Sequence, residues 1–132
     1  MTNQFAEISS ISHLDPLARI RICRKLDIKH PVCGDYRELA AHFDMPNTDI
    51  IVISQNPDPT DNVLHTIQRN PKNTIAKLRQ VLVIMGRDDC VMIIDESLLG
   101  MYSYYIVLHI IFLHGTHVWG RFFSHRISTE VV

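Results

Sequence analysis

The sequence has little glycine and no glycine-rich motif, and this excludes several classes of enzyme. Only 5 of the 132 residues are glycine. Neither a G-x-S-x-G nucleophile elbow nor a phosphate-binding P-loop occurs, and both motifs depend on glycines that let the backbone turn tightly. No other catalytic constellation stands out. The sequence therefore predicts a protein without enzymatic activity and without a cofactor.

Cysteine is also scarce. Cys23, Cys33 and Cys90 are odd in number and lack the spacing of a zinc site. Reduced thiols in an intracellular protein explain such a set better than a disulfide framework. The first residues contain neither a basic start nor a long apolar stretch, so we expect no secretory signal. Together these features predict a cytoplasmic location.

The eight histidines do not form a metal-binding pattern. His109, His114 and His117 are the closest group, with spacings of five and three residues. These spacings do not place all three on one helical face with a carboxylate partner. We therefore interpret them as incidental, and the sequence predicts no metal site.

Excess charge of one sign is absent, and the charges that exist are unevenly distributed. The chain has 13 Lys and Arg residues and 14 Asp and Glu residues, so its net charge is −1. Binding nucleic acid over the whole surface needs a basic excess, so nucleic acid is not an expected partner.

No Asp, Glu, Lys or Arg occurs from Ser97 to Gly120. We divide the chain into a polar leader (1–12), a charged domain (13–96) and an apolar tail (97–132).

Helix start signals recur along the domain. Thr74 and the aspartates Asp15, Asp35, Asp58 and Asp88 each precede an apolar-periodic segment, as N-caps do. Proline follows two of them, and Glu38 stands three residues after Asp35, as in a capping box. Gly86 lies where a helix C-terminus needs glycine. These signals predict six short helices and an all-α bundle of roughly 80 residues.

One segment of the domain is ambiguous. Residues 50–53 are four consecutive apolar residues, which suit either a short helix or a buried strand.

The domain's charges alternate in sign along the chain. The first helix is basic, the centre is acidic, and the last helix begins with acidic residues that follow an arginine. The candidate partner-binding residues are Arg19, Arg21, Arg24, Lys25, Asp58, Asp61, Arg87, Asp88 and Asp89. Opposed patches of this kind allow small bundles to stack on one another. The alternative is an ordinary solvated surface.

Several segments resemble motifs of the death domain, a six-helix Greek-key bundle. Residues 34–40 resemble the D-W-x-x-L-A start of its second helix, and residues 56–60 the x-P-T entry to its fourth. Residues 74–78 resemble the T-V-x-x-L start of its fifth helix, and residues 85–89 the L-G-R-D-D junction before its sixth. The resemblance covers about residues 17–94, and it implies that the apolar tail is an atypical addition to the fold.

Among death domains, the sequence is most similar to the myeloid differentiation primary response adaptors of Toll/interleukin receptor signalling. The netrin-receptor death domains come second. The resemblance implies a non-enzymatic adaptor that acts by homotypic assembly in intracellular, innate-immune signalling. Its partners would be copies of itself, other adaptors or death-domain kinases. The chain is too short for the receptor-binding Toll/interleukin domain, so we expect a truncated or regulatory form. Arg87 and Asp89 match family positions used in helical oligomers.

Two departures from the family pattern affect these expectations. Tyr36 stands where the second helix usually carries tryptophan, and its hydroxyl group needs a partner or water when buried. The adaptor family has a basic residue in the third helix and another just before the Gly-Arg-Asp-Asp segment. The corresponding places are the apolar run 50–53 and Ile84. The partner surface is therefore expected to differ from the family's.

The tail allows three interpretations. Residues 98–113 are 16 mostly apolar residues, fewer than the roughly 20 that a membrane helix needs. Extension over 98–120 reaches that length but includes histidines. The tail could pack on the bundle as a helix or strand, remain poorly ordered, or associate with a membrane. The last option would make the protein a membrane-associated death-domain regulator.

Overall fold

The structure is a computed structural model that describes residues 4–29, 31 and 34–130. For Met101, Tyr102, Tyr105 and residues 114–130 it describes the backbone alone. These described residues form helices and no strand, so the predicted all-α class is confirmed. The elements are α1 (Gln4–Ile8), a 3-10 turn (Ile11–His13), α2 (Pro16–Leu26), α3 (Tyr36–His42), α4 (Asn47–Ser54), α5 (Pro59–Ile67), α6 (Ile75–Ile84) and α7 (Asp88–Glu130).

Three of the predicted helix caps are present. The side chain of Asp15 accepts a hydrogen bond from the N–H of Ala18 at 3.1 Å. Asp35 accepts one from the N–H of Arg37 at 2.9 Å. The Thr74 side chain accepts a hydrogen bond from the N–H of Lys77 at 3.2 Å. Each bond satisfies a backbone donor that the first helical turn leaves without an intrahelical partner.

Two predicted caps differ because the fold supplies other partners. The Asp58 side chain makes no cap bond within the described part of the chain. The N–H of Thr60 donates instead to Asp27 Oδ1, at the end of α2, at 2.9 Å. Glu38 accepts from the N–H of Gly34 at 2.6 Å, one residue before the position that a capping box requires. A tertiary contact thus replaces the local cap at the start of α5, whereas at α3 the change is a local shift of the Glu38 bond by one residue.

The end of α6 follows the sequence signal closely. Gly86 has a φ of +72°, a left-handed conformation that glycine adopts without steric cost. Its N–H donates to the carbonyl of Val83 at 3.0 Å, and the N–H of Arg87 donates to that of Leu82 at 2.9 Å. This pair of bonds is a Schellman motif. It ends α6 and brings Arg87 to the position just before α7.

The ambiguous segment 50–53 is helical, as part of α4. Ile50 and Ile53 are buried, three residues apart on one helical face. Ile51 and Val52 are 60% and 62% exposed on the opposite side. A helix buries only the residues on its inner side, whereas a central strand would bury nearly all four residues of the run.

Tyr36 lies at the centre of the core. It is 1% exposed, and its hydroxyl group donates to Ser54 Oγ at 3.0 Å. Ser54 Oγ donates in turn to the carbonyl of Ile50 at 2.8 Å. The polar group that a tyrosine brings into this position therefore has a partner, and it ties α3 to α4.

The core extends upstream of residue 13. The sequence predicts a polar leader over residues 1–12, but Ala6 and Ile11 are 4% and 0% exposed in the structure. The N–H of Ile75 donates to the carbonyl of Ser9 at 3.0 Å, and that of Ile11 to Asn73 at 3.3 Å. A five-residue helix is too short to display amphipathic periodicity, so the sequence carries no clear signal for it.

The chain forms two compact units, Met1–Leu98 and Leu99–Val132. The first contains α1 to α6 and the beginning of α7. The second is helical through Glu130, which is much longer than the sequence predicts for the last helix. Proline, the strongest helix breaker, does not occur after Pro71. Among the described residues, none of the helices combines the length and apolar character needed to cross a membrane.

The buried position of Ile11 leads to a stability prediction. Changing Ile11 to Ala removes a fully buried side chain and should lower the free energy of unfolding by about 3 kcal/mol. Changing Ile8, which is 81% exposed, to Ala should alter it by less than about 0.5 kcal/mol. Urea denaturation of both variants measures the difference. Equal midpoints would show that the first twelve residues contribute nothing to the core.

Candidate interaction surface

The side chain of Arg87 connects three parts of the bundle. Its Nη1 donates to the carbonyl of Gly34, before α3, at 3.0 Å. Its Nε and Nη2 donate to the two carboxylate oxygens of Asp89 at 3.1 and 2.9 Å. Lys25 Nζ, on α2, lies 3.6 Å from Asp89 Oδ2. The arginine side chain is 18% exposed, whereas those of Asp89 and Lys25 are 41% and 43% exposed.

This network sets the protonation of Asp89. The hydrogen bonds from Arg87 lower the pKa of Asp89, and a bond from the N–H of Cys90 at 2.9 Å lowers it further. Asp88, which the sequence predicts as the cap of α7, is instead the first residue of the helix, and Asp89 lies in its first turn. Each charge of the cluster therefore has an opposite charge beside it within the same chain.

Gly34 is required where it lies, for two reasons. Its φ is +89°, in the region that residues with a side chain rarely adopt. A Cβ atom at this position would lie 3.1 Å from Cδ of Arg87. Glycine therefore lets the backbone turn and leaves room for the arginine that binds its carbonyl group.

A second ion pair joins α2 to α5. Arg19 Nε lies 2.9 Å from Asp61 Oδ1, and Arg19 Nη1 donates to Gln68 Oε1 at 2.7 Å. The arginine side chain is 20% exposed. The predicted basic helix and the predicted acidic patch thus neutralise each other at this contact.

A third pair joins α2 to α7, and a fourth, which the sequence pattern did not single out, joins α6 to α7. Arg21 Nη1 lies 3.2 Å from Glu96 Oε2, and both side chains are largely exposed. Arg79 donates to both carboxylate oxygens of Asp95, at 2.7 and 3.0 Å. Exposed pairs of this kind contribute little to stability, but they occupy charges that a partner would otherwise meet.

An apolar ridge follows the outer side of α2. Leu17, Ile20 and Ile28 are 64%, 49% and 67% exposed. Leu17, Ile20 and exposed Arg24 stand at i, i+3 and i+7 of α2, a single stripe of helical spacing, and Ile28 follows two residues after the helix ends at Leu26. The buried residues Ile22 and Leu26 lie on the other side of the helix. We call these four residues the α2 ridge.

Comparison with known families decides the identity of the fold. The sequence model of the Death domain family matches residues 19–98, more than half of the chain. The chain belongs to the death-domain family. The match begins within α2 and ends within α7, so α1 and the 3-10 turn of this death domain lie outside the matched region. The predicted death-domain bundle is confirmed.

The nine predicted binding residues of this death domain fall into two groups. Six are in ion pairs within the chain: Arg19, Arg21, Lys25, Asp61, Arg87 and Asp89. The other three, Arg24, Asp58 and Asp88, are exposed and have no side-chain partner among the described residues. The α2 ridge was missed, although the spacing of its apolar residues could have indicated it.

The described cysteines are poor nucleophiles. Burial, together with the nearby carboxylates of Asp61 and Asp27, raises the pKa of Cys23 to about 12. Burial raises the pKa of Cys90 to about 11. Cys33 lies outside the described residues. Within the described part of the chain, no group of three His, Cys, Asp or Glu residues could hold a metal ion.

Removing the Arg87 side chain should destabilise this death domain. Arg87→Ala leaves the carbonyl of Gly34 and the carboxylate of Asp89 without their donors, at a cost of about 2 kcal/mol. Arg87→Lys should recover only part of this, because an ammonium group cannot reproduce the forked geometry. Arg24→Ala is the matched control and should change stability by less than about 0.5 kcal/mol.

Thermal or urea unfolding at several pH values tests the pairing itself. The lowered pKa of Asp89 adds stability above the ordinary value near 3.8, and this contribution is lost as the pH falls through the lowered value. The difference between wild type and Arg87→Ala should therefore narrow in acid. If the difference in unfolding free energy between wild type and Arg87→Ala stays constant with pH, Arg87 stabilises the fold by packing alone.

The raised pKa values predict slow alkylation. In mildly alkaline buffer the thiolate fraction of Cys23 should be roughly a thousandfold below that of a free thiol, and that of Cys90 roughly a hundredfold below. Peptide mass spectrometry after timed treatment with iodoacetamide measures each site separately. Unfolding the chain in guanidinium should restore ordinary rates. Equal rates in the native and unfolded chain would contradict the assigned environments.

Proposed function

We propose that this protein is a non-enzymatic signalling adaptor that works by homotypic assembly with other death domains. Membership of the family supports the general role, because death domains are protein-interaction modules. The resemblance of residues 85–89 to the adaptors of Toll/interleukin receptor signalling favours an intracellular, innate-immune context. Its partners would then be copies of itself, other adaptors or death-domain kinases.

The α2 ridge is the observation that carries this proposal. Leu17 and Ile20 on one side of α2, and Ile28 just after the helix, are exposed together with Arg24, which makes no ion pair among the described residues. Apolar side chains and arginine are what the centre of a protein interface commonly contains, whereas lysine and acidic residues are depleted there. Buried Ile22 and Leu26 fix α2 in the bundle, and the Arg19–Asp61 pair adds to its contact with α5. The ridge is therefore a preformed surface.

The unpaired acids supply the complementary charge. Asp58, before α5, and Asp88, at the start of α7, are exposed and form no ion pair within the described residues. A second death domain that offers such carboxylates to Arg24 gains Coulomb attraction without breaking an existing pair. This selects Arg24, Asp58 and Asp88 as the partner-binding residues among the nine predicted.

Charge reversal of these residues tests the proposal. Arg24→Glu and Asp58→Arg should each weaken binding to a death-domain partner by about tenfold or more, because an interfacial attraction becomes a repulsion. Co-precipitation with mass spectrometry from the native cell identifies the partner, and titration by fluorescence anisotropy gives the affinity. Circular dichroism verifies that the fold is retained.

The control is Lys72→Glu, which reverses an exposed charge in the loop between α5 and α6. Reversal of Arg87 or Asp89 is unsuitable as a test, because it would disturb the network that ties Gly34 to α7. Full partner binding by both Arg24→Glu and Asp58→Arg would refute the proposed surface. An equal loss of partner binding in Lys72→Glu would show that the change in net charge, and not the proposed surface, causes the effect.

A further inference from the structure

The second compact unit exposes an unusual number of large apolar side chains. Within residues 99–113 of α7, eight such residues are between 37% and 81% exposed. They are Leu99, Tyr104, Ile106, Val107, Leu108, Ile110, Phe112 and Leu113. Contiguous apolar surface of this extent is rare on soluble monomers and marks an interaction site.

These side chains surround the helix. Ile106 and Ile110 lie four residues apart on one face, and Leu108 and Phe112 lie on the opposite face. From Ile106 to Leu113, more than two turns of helix, the one strongly polar side chain is His109. A protein groove covers one face of a helix, whereas a helix that is apolar all round needs an apolar environment on every side.

The charges of the segment match a lipid environment. None occurs from Ser97 to Gly120, so no charged group has to leave water when the helix enters hydrocarbon. The first charges that follow in the sequence are Arg121 and Arg126, without an acidic residue before Glu130. Basic residues next to an apolar segment complement the anionic headgroups of phospholipids.

A second copy of the helix fits these observations less well. Paired helices bury one apolar seam and keep charged residues at its edges and on the outer face, where they set the register. This segment has neither the edge charges nor a polar outer face. Pairing would leave half of the exposed apolar side chains in water.

We propose that residues 99–113 of α7 dock this protein on a phospholipid bilayer, with the side chains on both faces of the helix in contact with lipid acyl chains. The proposal concerns contact with lipid and not passage across the membrane. It stands independently of the proposed adaptor function, since it depends on the second compact unit alone. Its consequence is a death domain that is presented at a membrane surface.

Flotation of the full-length chain tests this docking. The protein is synthesised in a cell-free system with vesicles of phosphatidylcholine, with or without phosphatidylserine, and then centrifuged through a density gradient. The chain should float with the vesicles, and more of it should float when phosphatidylserine is present. Free chain that remains at the bottom with both vesicle types would overturn the proposal.

Two double variants test whether lipid surrounds the helix. Ile106→Asp with Ile110→Asp changes one face, and Leu108→Asp with Phe112→Asp changes the other. Because an acid in hydrocarbon is costly, each pair should reduce the floated fraction by about tenfold or more. Loss from one face only would indicate a protein groove or a second helix and would overturn the proposal.

The matched control is Ile51→Asp with Val52→Asp, two apolar residues of similar exposure on α4. This variant and Arg24→Glu should float as the wild type does. An equal loss of flotation in the α4 variant would show that any exposed apolar side chain adsorbs to the vesicles, and it would contradict the proposal. Since Arg24→Glu should lose partner binding but retain flotation, failure of the adaptor function and failure of the lipid contact are distinguishable.

Discussion

The bond between Arg87 and the carbonyl of Gly34 is the constraint on which much of the bundle depends. It joins the loop before α3 to the junction of α6 and α7, two segments 53 residues apart in the sequence. The same guanidinium group holds Asp89, which accepts from the N–H of Cys90 in the first turn of α7 and lies beside Lys25 of α2. This bond requires glycine at position 34. The backbone there is left-handed, and the absence of a side chain leaves room for Arg87. A short polar network thereby orients several helices that the apolar core alone would allow to slide.

The ion pairs of the bundle change how its net charge is understood. A charge of −1 with alternating patches suggests surfaces that attract other molecules. In the folded chain, opposite patches meet one another, as Arg19 meets Asp61 between α2 and α5. Much of the charge is therefore paired within the chain, and the surface that we propose for a partner is the α2 ridge with Arg24, together with Asp58 and Asp88. Such a surface combines apolar contact area with few charges, which favours affinity at its centre and selectivity at its edge.

Lipid docking and homotypic assembly would act on different parts of this protein and reinforce each other. Confinement to a membrane raises the local concentration of a domain that assembles with its own kind, so weak contacts suffice. The α2 ridge belongs to the first compact unit, and the apolar helix from Leu99 onward to the second. Each unit therefore has its own set of exposed apolar side chains.

The sequence by itself determined the local features of this protein. Asp15, Thr74 and Gly86 act as the capping rules predict, because a cap bonds to a backbone within a few residues of itself. The all-α class and the family motifs also followed from local spacing. Only the tertiary structure decided which charges pair with Arg19 and Arg21 and which carbonyl Arg87 binds, since these partners lie 42 to 75 residues away. It also placed Ile11 in the core and Ile20 outside it. Burial depends on which helices pack together, and short amphipathic segments do not specify that by themselves.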